Sequence, residues 1–395
     1  MLVNGVKIPF ALQLCLDDVA WHYGADLRCI GQASRSGIPR YHQPEDYMVL
    51  EEIGRRLDMK IVCPLCLADW DKDNLLKGEV GITHNPYGWD RASEIDMEYA
   101  EACMAEMRKS KYMDFAYHGL LHGRYDEHGK LLTQTEYFSL SHDENGNAVY
   151  SVDAEDVRHR LDLFDKIRHS WGLDNKITSF VSPCGACNAT PEQMHVICEE
   201  VARRGVRTWL NFAFAFDGPL YISDDVACIK KGGTFNGRSV RWNAYDFDPK
   251  YLGDFTCSNE SSLSGVFGLH WTNFLRFNPE NNFERIPAWI DYFKRQAEIF
   301  GFMLSKNAEF CANQAFYAKY STIREHGGAI VIDTSSVKKN SPSWLANSFY
   351  VSFKKEQLPA SCENGSMELY EEHAEFNTYK IDVVNEGIIT ITDGG

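Results

Sequence analysis

The chain has 395 residues, of which 44% are apolar and 24% charged, and its formal net charge is -16. Such a composition belongs to a folded globular protein and excludes collagen, coiled coil or disorder as the main architecture. The acidic balance repels phosphate backbones, which argues against a nucleic-acid partner, and no apolar run reaches the roughly 18 residues of a membrane-spanning helix.

In chain order, the first ten residues carry no basic stretch followed by a long apolar run, so a cytoplasmic protein is expected. The 12 cysteines are scattered through apolar segments, as buried reduced thiols would be. A strand-like run opens at Ile8 and ends at Leu16, and further apolar runs end at Val62, Tyr117, Ser182, Phe212 and Leu269. Helical patterns fill the intervals 44–57, 93–108, 153–169, 190–204 and 282–300. Ser93 is placed to start one helix. Thr190-Pro191-Glu192 sets proline at the first position of another. Val157, Leu161, Phe164 and Ile167 share one helical face. Strands separated by helices imply parallel pairing with right-handed crossovers, and six or more such units favour a β/α barrel over an open doubly wound sheet. No Gly-x-Gly-x-x-Gly or Walker loop follows the first strand, which counts against a nucleotide site. The stretch 217–264, rich in Gly, Asp, Asn and Ser, reads as an insertion over the barrel mouth. Five short strands are expected over 329–332, 349–353, 367–370, 379–384 and 388–392. The chain therefore divides into a barrel, 1–326, and a small all-β domain, 327–395.

Functional groups of a β/α barrel gather at the C-terminal ends of its strands. That rule selects Asp17, Asp18, Cys63, Cys66, His118, His122, the segment from Pro183 to Asn188, Asn211 and His270. Two imidazoles four residues apart, His118 and His122, can share one face of a helical turn and bind one cation. A carboxylate completes a His₂Asp set that leaves positions open for water and substrate. Adjacent carboxylates such as Asp17 and Asp18 repel unless a cation neutralises one of them; the alternative is an Asx turn or a helix cap. The pairs Cys63–Cys66 and Cys184–Cys187 read as ordinary thiols, with a tetrathiolate zinc site as the alternative.

These residues carry a resemblance. Phe10-Ala-Leu-Gln-Leu-Cys-Leu-Asp17-Asp18 resembles the first motif of the polysaccharide deacetylases (the NodB-homology group, carbohydrate esterase family four). His118 to His122 resembles that family's His-x-x-x-His motif. Val181-Ser-Pro-Cys-Gly185 lies where the family has Arg-x-Pro-aromatic-Gly, and Phe267-Gly-Leu-His270 where a late strand ends in histidine. The resemblance spans most of residues 8–275 and implies a distorted (β/α)₇ barrel. It implies Asp18, His118 and His122 as ligands of a divalent metal, zinc first among zinc, cobalt, nickel and iron. It implies Asp17 as general base and His270 as general acid, removing acetyl from an N-acetylated mono- or oligosaccharide. The chain departs from the pattern at Val19, at Gly119, at Val181 in place of the base-orienting Arg, and at Cys184 in place of the aromatic.

Trp21, Cys184, Trp209, Asn211, Trp242, Tyr245 and Trp271 are the candidate substrate contacts, with Trp242 and Tyr245 supplied by the insertion. Two other readings stand beside the deacetylase. One is a glycoside hydrolase drawing a carboxylate pair from Asp17, Asp217 or Glu260. The other is a non-catalytic sugar-binding relative.

Overall fold

The computed structural model describes residues 5–20, 38, 40–184, 189–211, 220–223, 225–232, 234–235, 245–252, 255–256, 265–385 and 387–393. The first long strand, Ala11–Asp17 (β1), has all its side chains buried, as befits a parallel strand covered on both faces. It is joined by Ile61–Cys66 (β2), Met113–Gly119 (β3), Ser179–Phe180 (β4), Thr208–Asn211 (β5), Val226–Lys230 (β6) and Val266–His270 (β7). These pair parallel in the order β6-β5-β4-β3-β2-β1-β7. The sheet is curled. Just past β6, Gly232 N donates to Val266 O (2.9 Å) and Gly232 O accepts from Gly268 N (3.3 Å), which ties that end of the sheet back to β7.

The helices Pro44–Leu57 (α1), Met97–Lys109 (α2), Ala154–Ser170 (α3), Pro191–Ala202 (α4) and Ile286–Phe300 (α5) follow the expected intervals. Thr190 caps α4 as its sequence predicts, with its hydroxyl accepting from Gln193 N at 3.3 Å and Gln193 Oε1 accepting from Thr190 N at 2.9 Å. Val157, Leu161, Phe164 and Ile167 are all buried. One start shifts: Asp96, not Ser93, caps α2, because extended Ile95 separates a short turn at Arg91–Glu94 from the helix proper.

Alternation along the strands sorts the side chains. Cys15, Val62, Ala116, Val181, Leu210 and Ile229 meet on one side of the curled sheet, and Leu14, Leu16, Cys63, Phe180, Trp209 and Phe267 pack into the larger core on the other. Ala308–Tyr320 (α6) adds Ala308, Cys311, Ala312 and Phe316 to the first set. No periodic signal marks α6 in the sequence, since a helix buried nearly all round has no polar face to show it. Its other side, through Tyr317, stacks on Phe349 at 4.4 Å.

Phe349 belongs to a pair of four-stranded antiparallel sheets, ordered Val6–Lys7, Ser348–Lys354, Phe376–Val383, Gly365–Glu372 and Thr322–His326, Ala329–Asp333, Ile388–Asp393, Pro359–Glu363. The two share an apolar cluster that includes Ile332, Val351, Ile381 and Ile391. Thr322–His326 already belongs to these sheets, so 327 falls inside a hairpin. Gly327 and Gly328, at φ 62° and 80°, make its two-residue turn. The stretch 217–264 is likewise not one excursion. Its Val-Ala-Cys-Ile-Lys segment is β6, hydrogen-bonded along β5 from Thr208↔Ala227 to Asn211↔Lys230. Five residues flanked by Gly and Asp are too short for a period to stand out.

Candidate metal centre

A side chain two residues further along an inward row stands one pleat higher. Asp17 follows Cys15 in this way, His118 follows Ala116, Lys231 follows Ile229, and His270 follows Val266 by two such steps. Four polar groups are thus lifted from an apolar layer to one end of the sheet, where the parallel strands end. Asp18 would point the opposite way from Asp17 if β1 continued. It does not: Asp18 turns at φ 61°. The chain then leaves along β2, with Val19 N donating to Pro64 O (2.9 Å) and Cys66 N to Val19 O (2.9 Å). Trp70 Nε1 donates to the Ala20 carbonyl and fixes the turn.

Asp18, His118 and His122 are buried, and one ligating atom from each lies within 4.8 Å of the others. His118 Nε2 is 3.1 Å and His122 Nε2 3.7 Å from Asp18 Oδ1. His270 Nε2 stands 3.5 Å from the other oxygen, Oδ2. His118 Nδ1 donates to Val181 O at 2.6 Å, which leaves Nε2 facing the aspartate. Burial by itself would raise the Asp18 carboxyl, but the His118 hydrogen bond and the charges of His122 and His270 prevail and hold it at about 2. Burial pulls His118 down, and its hydrogen bond and attraction to Asp18 more than reverse that. Two imidazoles and a carboxylate converging in a buried pocket are a donor set that fits a divalent cation such as zinc.

The helical-turn geometry expected of His118 and His122 is not what joins them. His118 ends a strand, and His122 sits in a turn at φ 52°, with the two rings 5.2 Å apart.

Asp17 has a partner that the sequence did not reveal. Lys231 Nζ lies 2.7 Å from both of its carboxylate oxygens, and both side chains are buried. Cys15 lies just below, its Sγ 3.7 Å from Asp17 Oδ1 and 3.9 Å from Lys231 Nζ. Burial pushes the Cys15 thiol well up. Lys231 stands inside the stretch read as an insertion, so no spacing rule connected it to residue 17. Glu136, fully buried, was also missed, since it stands in a loop away from any strand end: it accepts the Leu120 N–H at 2.8 and 3.1 Å.

Several expected substrate contacts fall elsewhere. The alternation that turns Leu210 and His270 one way turns Trp209 and Trp271 into the helix-side core. Trp209 packs on Phe180 at 5.1 Å, and Trp271 on His42 and Tyr47 at 4.2 and 4.9 Å. Asn211 is buried and donates to Ser182 Oγ at 2.6 Å, bracing two strand ends. Tyr245 packs against Phe277 at 6.4 Å. Cys184 is exposed, with φ 53° and its Sγ 3.1 Å from Gln134 Oε1. Trp21, Trp242, Cys187, Asp217 and Glu260 lie outside the described residues. Among the described residues Asp18, His118 and His122 are the one cluster arranged for a metal, and Cys63, Cys66 and Cys184 form no such group. No helix among them is long and apolar enough to cross a membrane.

The molecule is thus a mixed α/β protein whose curled sheet carries a compact His₂Asp group at one end. No protein-family profile and no curated protein matches it. Among solved structures it is similar to the Xyl-CE4 domain of a multidomain xylanase from the hindgut metagenome of Trinervitermes trinervoides. That likeness has 14% identity and a TM-score of 0.29, over 77% of this chain and 89% of that one. It is also similar to a Mycobacterium smegmatis protein assigned as a polysaccharide deacetylase, at 13% identity and a TM-score of 0.28, over 67% of this chain and 64% of that one.

Proposed function

We propose that the chain is a metal-dependent deacetylase of an N-acetylated saccharide, built on a distorted (β/α)₇ barrel with an all-β unit at the end away from the site. The observation that most supports this is the meeting of Asp18, His118 and His122 beside an Asp17 held by Lys231. The barrel reading rests on the seven parallel strands and the hydrogen bonds between Gly232 and β7.

Asp18, His118 and His122 would hold the cation, which when bound would supply Lewis acidity to activate water and polarise the acyl carbonyl. Asp17, fixed in one orientation by Lys231, accepts the proton of the attacking water at a carboxylate oxygen. His270 Nε2, on the far side of Asp18, gives a proton to the departing amine nitrogen. The water oxygen bonds to the acetyl carbon, the carbon–nitrogen bond breaks, and acetate and a free amino sugar leave. In this reading the positive charge that Arg would bring beside Asp17 comes instead from Lys231, just past β6, and Val181 lends only its carbonyl to His118.

The test is acetate release from N-acetylated amino sugars and their short oligomers by chelator-stripped protein, before and after zinc is restored. Turnover is expected only with zinc. Asp17→Asn is expected to lower kcat by about 10²–10⁴-fold while zinc stoichiometry stays unchanged. Zinc-loaded protein that releases no acetate from any of these saccharides would overturn the reading.

A further inference from the structure

His122 reaches Asp18 from a turn in the left-handed region, which a residue with a β-carbon rarely adopts. The surroundings must therefore hold it there, and Glu136 is the group in place. Its carboxylate accepts the Leu120 N–H with both oxygens, at 2.8 and 3.1 Å. The His122 backbone N–H adds a smaller electrostatic pull on the same carboxylate. The Leu120 amide, midway between His118 and His122, thus ends on one buried carboxylate. Arg160 of α3, equally buried, offsets part of the charge: its Nη1 lies 3.9 Å from Glu136 Oε1, while its Nε donates to Asp156 at 3.1 Å and its Nη2 to Gly81 O at 3.0 Å.

Gly119 belongs to the same device. A β-carbon at 119 would come within 2.3 Å of Glu136 Oε2 and 3.2 Å of Pro183 Cγ. The carboxylate occupies the space that a side chain at 119 would need, so Glu136 in this place requires glycine at 119.

We infer that Glu136 is a positioning residue for the cation. It fixes the turn over 119–122 so that His122 joins His118 at Asp18, and it sets cation affinity without being a ligand. The inference rests on the cation reading above.

The test uses the full chain, stripped of metal, titrated with zinc against a chromophoric chelator and with cobalt followed by its visible absorption. Wild type is expected to bind one equivalent and His118→Ala to lose it. Glu136→Ala is expected to weaken zinc binding by about 10–100-fold and to alter the cobalt spectrum. Glu136→Gln, which keeps one acceptor, is expected to weaken it by less, and it decides the matter if Glu136→Ala does not fold. A purely structural role predicts a lower Tm with wild-type zinc affinity in the folded protein, and that result would overturn the inference. Gly119→Ser is expected to weaken zinc binding in wild type but to add little in Glu136→Ala; fully additive losses would dissolve the proposed pairing. Failure of wild type to bind zinc defeats the cation reading itself. Tight binding by wild type and Glu136→Ala alike defeats only the inference.

Discussion

Asp114 stands at the start of β3 and Asp18 just past the end of β1, at opposite ends of one curled sheet. Burial raises the Asp114 carboxyl to about 6, with Lys60 opposing weakly and Glu309 of α6 adding to the rise. Asp18 is buried more completely and yet is held at about 2, because three histidines surround it. The same strands thus run between an end sealed by α6, where charge is penalised, and an end where charges are gathered and matched. Removing a group at the first end should change stability alone, and at the second the chemistry.

The largest effects are expected at the second end. His118→Ala and His122→Ala each remove a donor and should weaken zinc binding by more than the roughly 10–100-fold of an outer-shell change. Zinc titration by calorimetry checks this, and undiminished affinity in either variant would erase the contrast between the two ends. Next is Lys231→Met. It leaves Asp17 without its counter-charge in a buried place, so about 3–5 kcal/mol of stability should be lost. It should also lower kcat with little change in zinc affinity, and Lys231→Arg should restore part of both. Denaturant unfolding and steady-state kinetics on the same preparations separate the two losses.

The sealed end should respond through the fold. Phe316→Ala opens a cavity where α6 meets the inner layer and is expected to cost about 3–5 kcal/mol, with zinc affinity of the folded protein unchanged. A changed affinity would mean the ends are coupled. The smallest effect is at Asp114. Its folded pKa is raised, so the cost to stability grows as pH rises from the unfolded carboxyl value towards 6 and is complete above that. Asp114→Asn should therefore stabilise the protein near neutral pH, by about 1–3 kcal/mol, and leave it unchanged below pH of about 4. Thermal melts across that range check the sign; destabilisation at neutral pH would refute it.

Most strands were legible because their apolar runs are bounded by clear breaks, and α3 and α4 because their faces and caps are written locally. Asp17, Asp18, His118, His122 and His270 were legible because each closes or follows such a run. Trp209 and Trp271 were misjudged. Neighbours of a strand-end residue share its position in sequence but point to the other side of the sheet. β6 escaped notice because it is short and embedded in polar loop composition, and α6 because it is buried around most of its circumference.

The sequence by itself determined which residue types stand at the ends of the strands, since a period of two is a local property. Tertiary structure alone decided who their partners are. Asp17 meets Lys231 across more than two hundred residues because β6 joins the sheet. Asp18 turns to the same side as Asp17 because β1 stops where β2 can take the chain's hydrogen bonds. Glu136 reaches the amide of Leu120 because Gly119 leaves room for a carboxylate. Each is a contact between segments distant in sequence, which no local pattern encodes, and only packing brings such segments together.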